Sequence, residues 1–148
     1  MNDSFNLQRF VDAQETVLEA VTRELQAGAK RSHWMWFVFP QIKGLGYSTT
    51  AHHYALGSID EAKAYLLHPL LGRRLRNWTQ IVLEVEERTA EAIFGYPDYL
   101  KFRSSMTLFD AAERNVSKTE NPSVFARALQ KYFQGEPDPA TLRILGLD

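Results

Sequence analysis

His33 has the side chain best suited to acid–base work in this chain, because imidazole titrates near neutral pH. It stands in a dense run, Lys30-Arg31-Ser32-His33-Trp34-Met35-Trp36-Phe37-Val38-Phe39-Pro40-Gln41. Trp34, Trp36, Phe37 and Phe39 fall within six residues. Burial in a core is the ordinary fate of such side chains, and it is the expectation for Met35, Phe37 and Val38. The polar flank adds a second reading. A planar ligand stacked on Trp34 or Trp36, with polar contacts from Lys30, Ser32, His33 and Gln41, would use this mixture. Candidate partners from elsewhere in the chain are Ser48, Lys101 and Ser105. The carboxylates available as a general base are few near the middle of the chain: Glu61, Asp98 and Asp110.

The charge distribution favours an anion at this place. The formal net charge is −1 over 148 residues. Residues 1–24 carry five acids and two bases, residues 25–83 two acids and seven bases, and residues 84–148 eleven acids and eight bases. No Asp or Glu occurs from Leu25 through Ile59, whereas Lys30, Arg31, Lys43 and three histidines do. Phosphate is the common biological anion for such a stretch. Gly44-Leu45-Gly46-Tyr47-Ser48 adds glycines ahead of a helix start, where backbone N–H groups face anions. Its plainer reading is a tight turn with Ser48 as helix cap. The full glycine spacing of a P-loop or dinucleotide fold is missing.

Several chemistries are excluded. The chain has no cysteine, which removes disulfides, thiolate nucleophiles, zinc–cysteine sites and iron–sulfur clusters. His52 and His53 are adjacent and point about 100° apart on a helix, and His33 and His68 lack partners at ligand spacing, so no metal is expected. No cofactor is indicated. No nucleophile elbow or Ser-His-Asp order supports acyl transfer, and no carboxylate pair reads as a glycosidase. Arg73, Arg74 and Arg76 form a basic cluster that reads as solvated surface, with phosphate binding as the sharper alternative. A pI near 6.4 argues against a nucleic-acid partner. No apolar run approaches a membrane span, and no secretory leader is visible, so a cytoplasmic protein without a membrane partner is expected.

The elements that must position these residues are helices. Leu7, Phe10, Val11, Gln14, Val17, Leu18, Val21 and Leu25 follow helical spacing, with Asn6 as N-cap and Gly28 as stop. Ser48 opens a helix to about Leu56. Ser58 and Glu61 read as a capping box for a helix toward Leu67. Pro69 fits the first turn of a helix running to Val85. Thr89–Phe94 reads as a brief turn. Helices are then expected from Tyr96-Pro97-Asp98, from Pro122 to Gly135, and from Asp138-Pro139 to Leu145. This predicts one all-α domain over 1–148 with about seven helices and a short strand near 36–39.

The run KRSHWMWFVFPQIKGLGYS closely resembles the signature of DUF1810, a bacterial family without an established reaction. The resemblance continues through Tyr54-Ala55-Leu56-Gly57, His68 to Leu75, Ile93-Phe94-Gly95, Ser104 to Phe109 and Asp138 to Leu142, nearly the whole chain. A more distant likeness is to NADAR-type domains, which act on ADP-ribose-linked substrates. It implies ADP-ribosyl hydrolysis or transfer. The Ser-Glu-His tripeptide of those domains is missing here, so no residue role is carried over.

The expectation is therefore a helical domain with a pocket for a phosphate-bearing, nucleotide-like ligand, as sensor or hydrolase. His33, Glu61 and Asp98 are its candidate catalytic groups. The alternative is a non-enzymatic interaction domain, whose aromatic segment packs a partner or a second copy of the chain.

Overall fold

Side-chain caps decide where most of the helices begin. In this computed structural model, which describes residues 3–148, there are ten helices among the described residues: α1 (Gln8–Glu15), α2 (Leu18–Gln26), α3 (Met35–Val38), α4 (Thr49–Tyr54), α5 (Ile59–Leu67), α6 (Leu71–Glu84), α7 (Ala90–Phe94), α8 (Asp98–Val116), α9 (Val124–Phe133) and α10 (Pro139–Leu145). Ser48, Ser58, Thr89, Ser123 and Asp138 each accept a backbone N–H at the third residue on, satisfying a donor the first helical turn leaves orphaned. His68 enters α6 in the same manner, its Nδ1 accepting from the Leu70 and Leu71 amides at 3.1 and 3.3 Å.

The helix count exceeds about seven because one expected helix divides and two segments expected to be a strand and a turn are short helices. The amphipathic run from Leu7 to Leu25 is two helices, broken at the adjacent β-branched Thr16 and Val17, residues that lose rotamer freedom in a helix. Asn6 does not cap it. Asn6 has φ +53°, and Asp3 takes the role, its two oxygens accepting from Leu7 and Gln8 N–H at 2.7 and 3.0 Å. These bonds hold the Asp3 carboxyl below its ordinary pKa. Thr89–Phe94 is a capped helix rather than a turn. The strand expected near 36–39 is also corrected: Met35–Val38 is one helical turn. A strand needs a partner, and the nearest extended pairing is a single parallel bridge between Ile42 and Leu56.

The 19-residue α8 is the spine, packed by α5, α7, α9 and α10. Its fully buried Phe102, Met106 and Phe109 join Phe10, Trp34, Phe39, Tyr65 and Phe125 in one continuous core. Phe39 meets Phe102 edge-on at 5.1 Å between centroids, and Phe94 stacks on Phe102 at 4.6 Å, offset and edge geometries that aromatic quadrupoles favour. The helical hairpin α5–α6 closes over Gly72, where an added Cβ would stand 2.0 Å from the Leu66 carbonyl oxygen. No helix among the described residues is long and apolar enough to cross a membrane.

Candidate functional site

The loop that carries the aromatic run is fixed from below by Glu24. Its Oε1 accepts the Arg31 amide at 2.8 Å, the Ser32 amide at 3.0 Å and the Trp34 indole N–H at 2.9 Å, and its Oε2 accepts the Ser32 hydroxyl at 2.6 Å. Burial pushes the Glu24 carboxyl up, but these four donors outweigh it and bring the pKa down to about 2. Trp34 is thereby drawn fully inside. Trp36, two residues on in the short α3, is left half-buried at the surface.

Trp36 forms one wall of a cleft of about 440 Å³. The segment after Pro40 contributes Gln41, Leu45, Tyr47 and Ser48, and Tyr54 comes from the end of α4. Helix α8 presents Leu100, Lys101 and Ser104, with Pro97 just before it, and Asp138 and Ala140 enter from the start of α10. On α8 these positions recur at spacings of three and four, one helical face. Ser105, one position past Ser104, is rotated by about 100°. It is fully buried, and its hydroxyl has no hydrogen-bond partner among the described residues.

Lys101 and Asp98 set the electrostatics. The Lys101 Nζ lies 5.4 Å from the centroid of the Trp36 ring, within reach of a cation–π interaction. It also lies 3.4 Å from Asp98 Oδ1, while Asp98 Oδ2 is held at 2.8 Å by Lys30. One carboxylate thus serves two ammonium groups. Lys30 is nearly buried, with its Nζ 5.1 Å from the Trp34 ring centroid. Asp138 is the one carboxylate lining the cleft among the described residues.

The candidate residues therefore separate into two groups. Trp36, Gln41, Ser48 and Lys101 line the cleft together, with Asp98 and Lys30 behind Lys101. Ser32, Trp34 and Ser105 lie in the scaffold instead. His33 is exposed and stands outside the cleft lining. Glu61 is ion-paired to Arg9 at 3.0 Å and accepts the Gly57 amide at 2.8 Å. That Arg9 guanidinium also binds the His53 and Ala55 carbonyls, so Glu61 braces the α4–α5 connection. Asp110 accepts from the Ser123 hydroxyl at 2.9 Å and pairs with Arg114 at 3.0 Å, away from the cleft. Arg74 and Arg76 hold Glu15 and Glu113 at 2.9 and 2.8 Å. No group of three His, Asp or Glu residues that could hold a metal ion occurs among the described residues.

Nothing in the sequence marks Tyr54 and Asp138 as lining residues, and from the polar run on α8 it is Ser104, not the expected Ser105, that lines the cleft. Ser104 was within reach of the helical spacing from Leu100 and Lys101. Asp138 reads in sequence as a helix cap, which it is, and only the fold brings α10 beside α8.

A family model described as "Protein of unknown function (DUF1810)" matches residues 4–145. The chain is also similar to a conserved hypothetical protein from Mycobacterium tuberculosis, known from a crystal structure. The two share 49% sequence identity and a TM-score of 0.91, over 99% of this chain and 100% of that one. No curated protein matches the chain.

Proposed function

The chain belongs to the DUF1810 family, whose description assigns no activity, and on the geometry of the cleft we propose that it binds a planar, anionic small molecule of nucleotide size. The observation that carries this reading is the Trp36–Lys101 pair: an aromatic face and an ammonium group 5.4 Å apart at one cleft wall. A base stacks on such a face, and a phosphate pairs with such an ammonium. A volume near 440 Å³ falls within the ~300–1,000 Å³ of small-molecule sites. Lys30 supports the reading from behind, because it neutralises Asp98 and leaves the charge of Lys101 for a ligand. Gln41 and Ser48 add polar contacts. Nucleotides and ADP-ribosyl compounds are the ligand classes to test, and a cytoplasmic setting, where they are abundant, belongs to the same proposal.

Binding, rather than hydrolysis, is what these residues support. His33 stands outside the lining, and Glu61 is committed to Arg9. An ADP-ribosyl hydrolase built on this cleft would have to use Asp138, the acid that faces its interior. A second reading, an interface between two copies of the chain, is favoured by Tyr47 and Tyr96, which are 90% and 75% exposed.

Calorimetric titration with AMP, ADP-ribose, NAD and sugar phosphates separates these readings. Saturable binding that K101M weakens about tenfold, roughly 1.4 kcal/mol, supports the ligand site. No heat with any compound, together with a concentration-dependent dimer in light scattering, supports the interface and contradicts the ligand site.

A further inference from the structure

The carboxylate of Asp138 is only half used by the fold. Its Oδ2 accepts the Thr141 amide at 3.2 Å, the Thr141 hydroxyl at 2.6 Å and the Ser104 hydroxyl at 2.9 Å. All three fall on that oxygen, and Oδ1 receives no hydrogen bond and no ion pair among the described residues. A capping Asp needs only one oxygen for its helix. The other keeps two lone pairs that must find donors elsewhere.

Asp138 lines the cleft beside Ser104 and Lys101. Lys101 and Ser104 are three residues apart on α8, hence about 5–6 Å apart between Cβ atoms, so one small molecule spans both. Two kinds of donor could meet Oδ1. An ammonium group would share the cleft with Lys101 and be repelled by it, whereas hydroxyls bring no charge. Ser104 adds an acceptor of its own, since its single hydrogen is directed to Leu100 O at 3.1 Å or Asp138 Oδ2 at 2.9 Å and its lone pairs stay open.

We infer that Asp138 and Ser104 together recognise the hydroxyls of a sugar, so that the cleft selects anionic ligands carrying an intact vicinal diol, ribonucleotides over their 2′-deoxy counterparts. The inference rests on the reading of the cleft as a site for a nucleotide-sized anion. A ligand lacking one hydroxyl leaves Oδ1 short of a donor in a cleft that excludes part of the water, and such losses discriminate more sharply than added methylenes do.

The test is calorimetric titration of the wild-type protein with AMP and with 2′-deoxy-AMP, repeated on D138N and S104A. Asparagine is as good a helix cap as aspartate, and circular dichroism checks that each variant is folded. The expected result is at least tenfold tighter binding of AMP by the wild type, with the ratio falling to near one in D138N and by severalfold in S104A. Equal affinity of the wild type for the two nucleotides overturns the diol inference and leaves the nucleotide site standing. Discrimination that survives in a folded D138N, or in S104A where D138N does not fold, also overturns it. Binding of neither nucleotide overturns both.

Discussion

Lys101 reaches across from α8 to stand 5.4 Å from the ring centroid of Trp36, linking a residue of the family-like aromatic run to a helix that begins more than sixty positions later. That pair joins the two halves of the cleft, and the groups around it determine how it is held.

Asp98 and Lys30 tune Lys101 in opposite directions. K30M leaves Asp98 with Lys101 as its sole cation among the described residues, so anion affinity should fall about tenfold although the lost charge lies behind the cleft. The double variant K30M/D98N should recover most of it, a coupling that a mutant cycle reads directly. Additive losses in calorimetry would contradict this shared-carboxylate account.

Glu24 should make stability sensitive to acid. Its folded pKa of about 2 lies below the ordinary 4.5, so its contribution is fully present above pH 4.5 and is lost as pH falls toward 2. The difference is worth roughly 3 kcal/mol as an upper figure. E24Q, which removes the charge shared by four donors, should lower stability by about 2–3 kcal/mol at pH 7 in urea denaturation. It should also flatten the acid limb of the stability profile. An unchanged acid limb in E24Q would show that another group controls it.

Gly72 tolerates no side chain. In G72A the new Cβ would meet the Leu66 carbonyl at 2.0 Å, a backbone clash that only separation of α5 from α6 relieves. A loss of about 2 kcal/mol or more is expected, readable as a shift of the urea midpoint. Wild-type stability in G72A would mean the hairpin is looser than this packing.

Ser105 should behave in the opposite sense. Its buried hydroxyl has no partner among the described residues, so S105A removes an uncompensated polar group and should raise stability by about 1 kcal/mol. Ligand affinity should stay at the wild-type value, because Ser105 faces the core. A fall in affinity would assign it a role at the cleft.

The fold was legible wherever local chemistry decided it. Ser48, Ser58 and Asp138 follow from short-range capping, and the apolar spacings of α6, α8 and α9 from helical period. Trp36–Phe39 was not legible, because an aromatic-rich run suits either a strand or a buried turn and only the absence of a neighbouring strand decides. At the cleft, the sequence pointed to Trp36, Gln41, Ser48 and Lys101 by residue type. It did not separate Trp34 from Trp36, since that depends on Glu24 drawing one indole inward. Nor did it find Asp138 beside Ser104, a contact across 34 positions. Charge counting also overstated the cationic character of the cleft: Lys30 is paired with Asp98, and Arg31 and Lys43 are exposed outside the lining.

Tryptophan fluorescence tests the central claim most directly. Trp34 and Trp78 are buried at 0% and 4% exposure, leaving Trp36 as the indole a cleft ligand can touch. Titration with AMP should quench the wild-type emission saturably, and W36F should lose most of that quench. Its affinity by calorimetry should stay within about tenfold of wild type, since phenylalanine keeps a stacking face. An emission that AMP leaves unchanged, or a quench that W36F reproduces in full, would contradict a ligand stacked on Trp36.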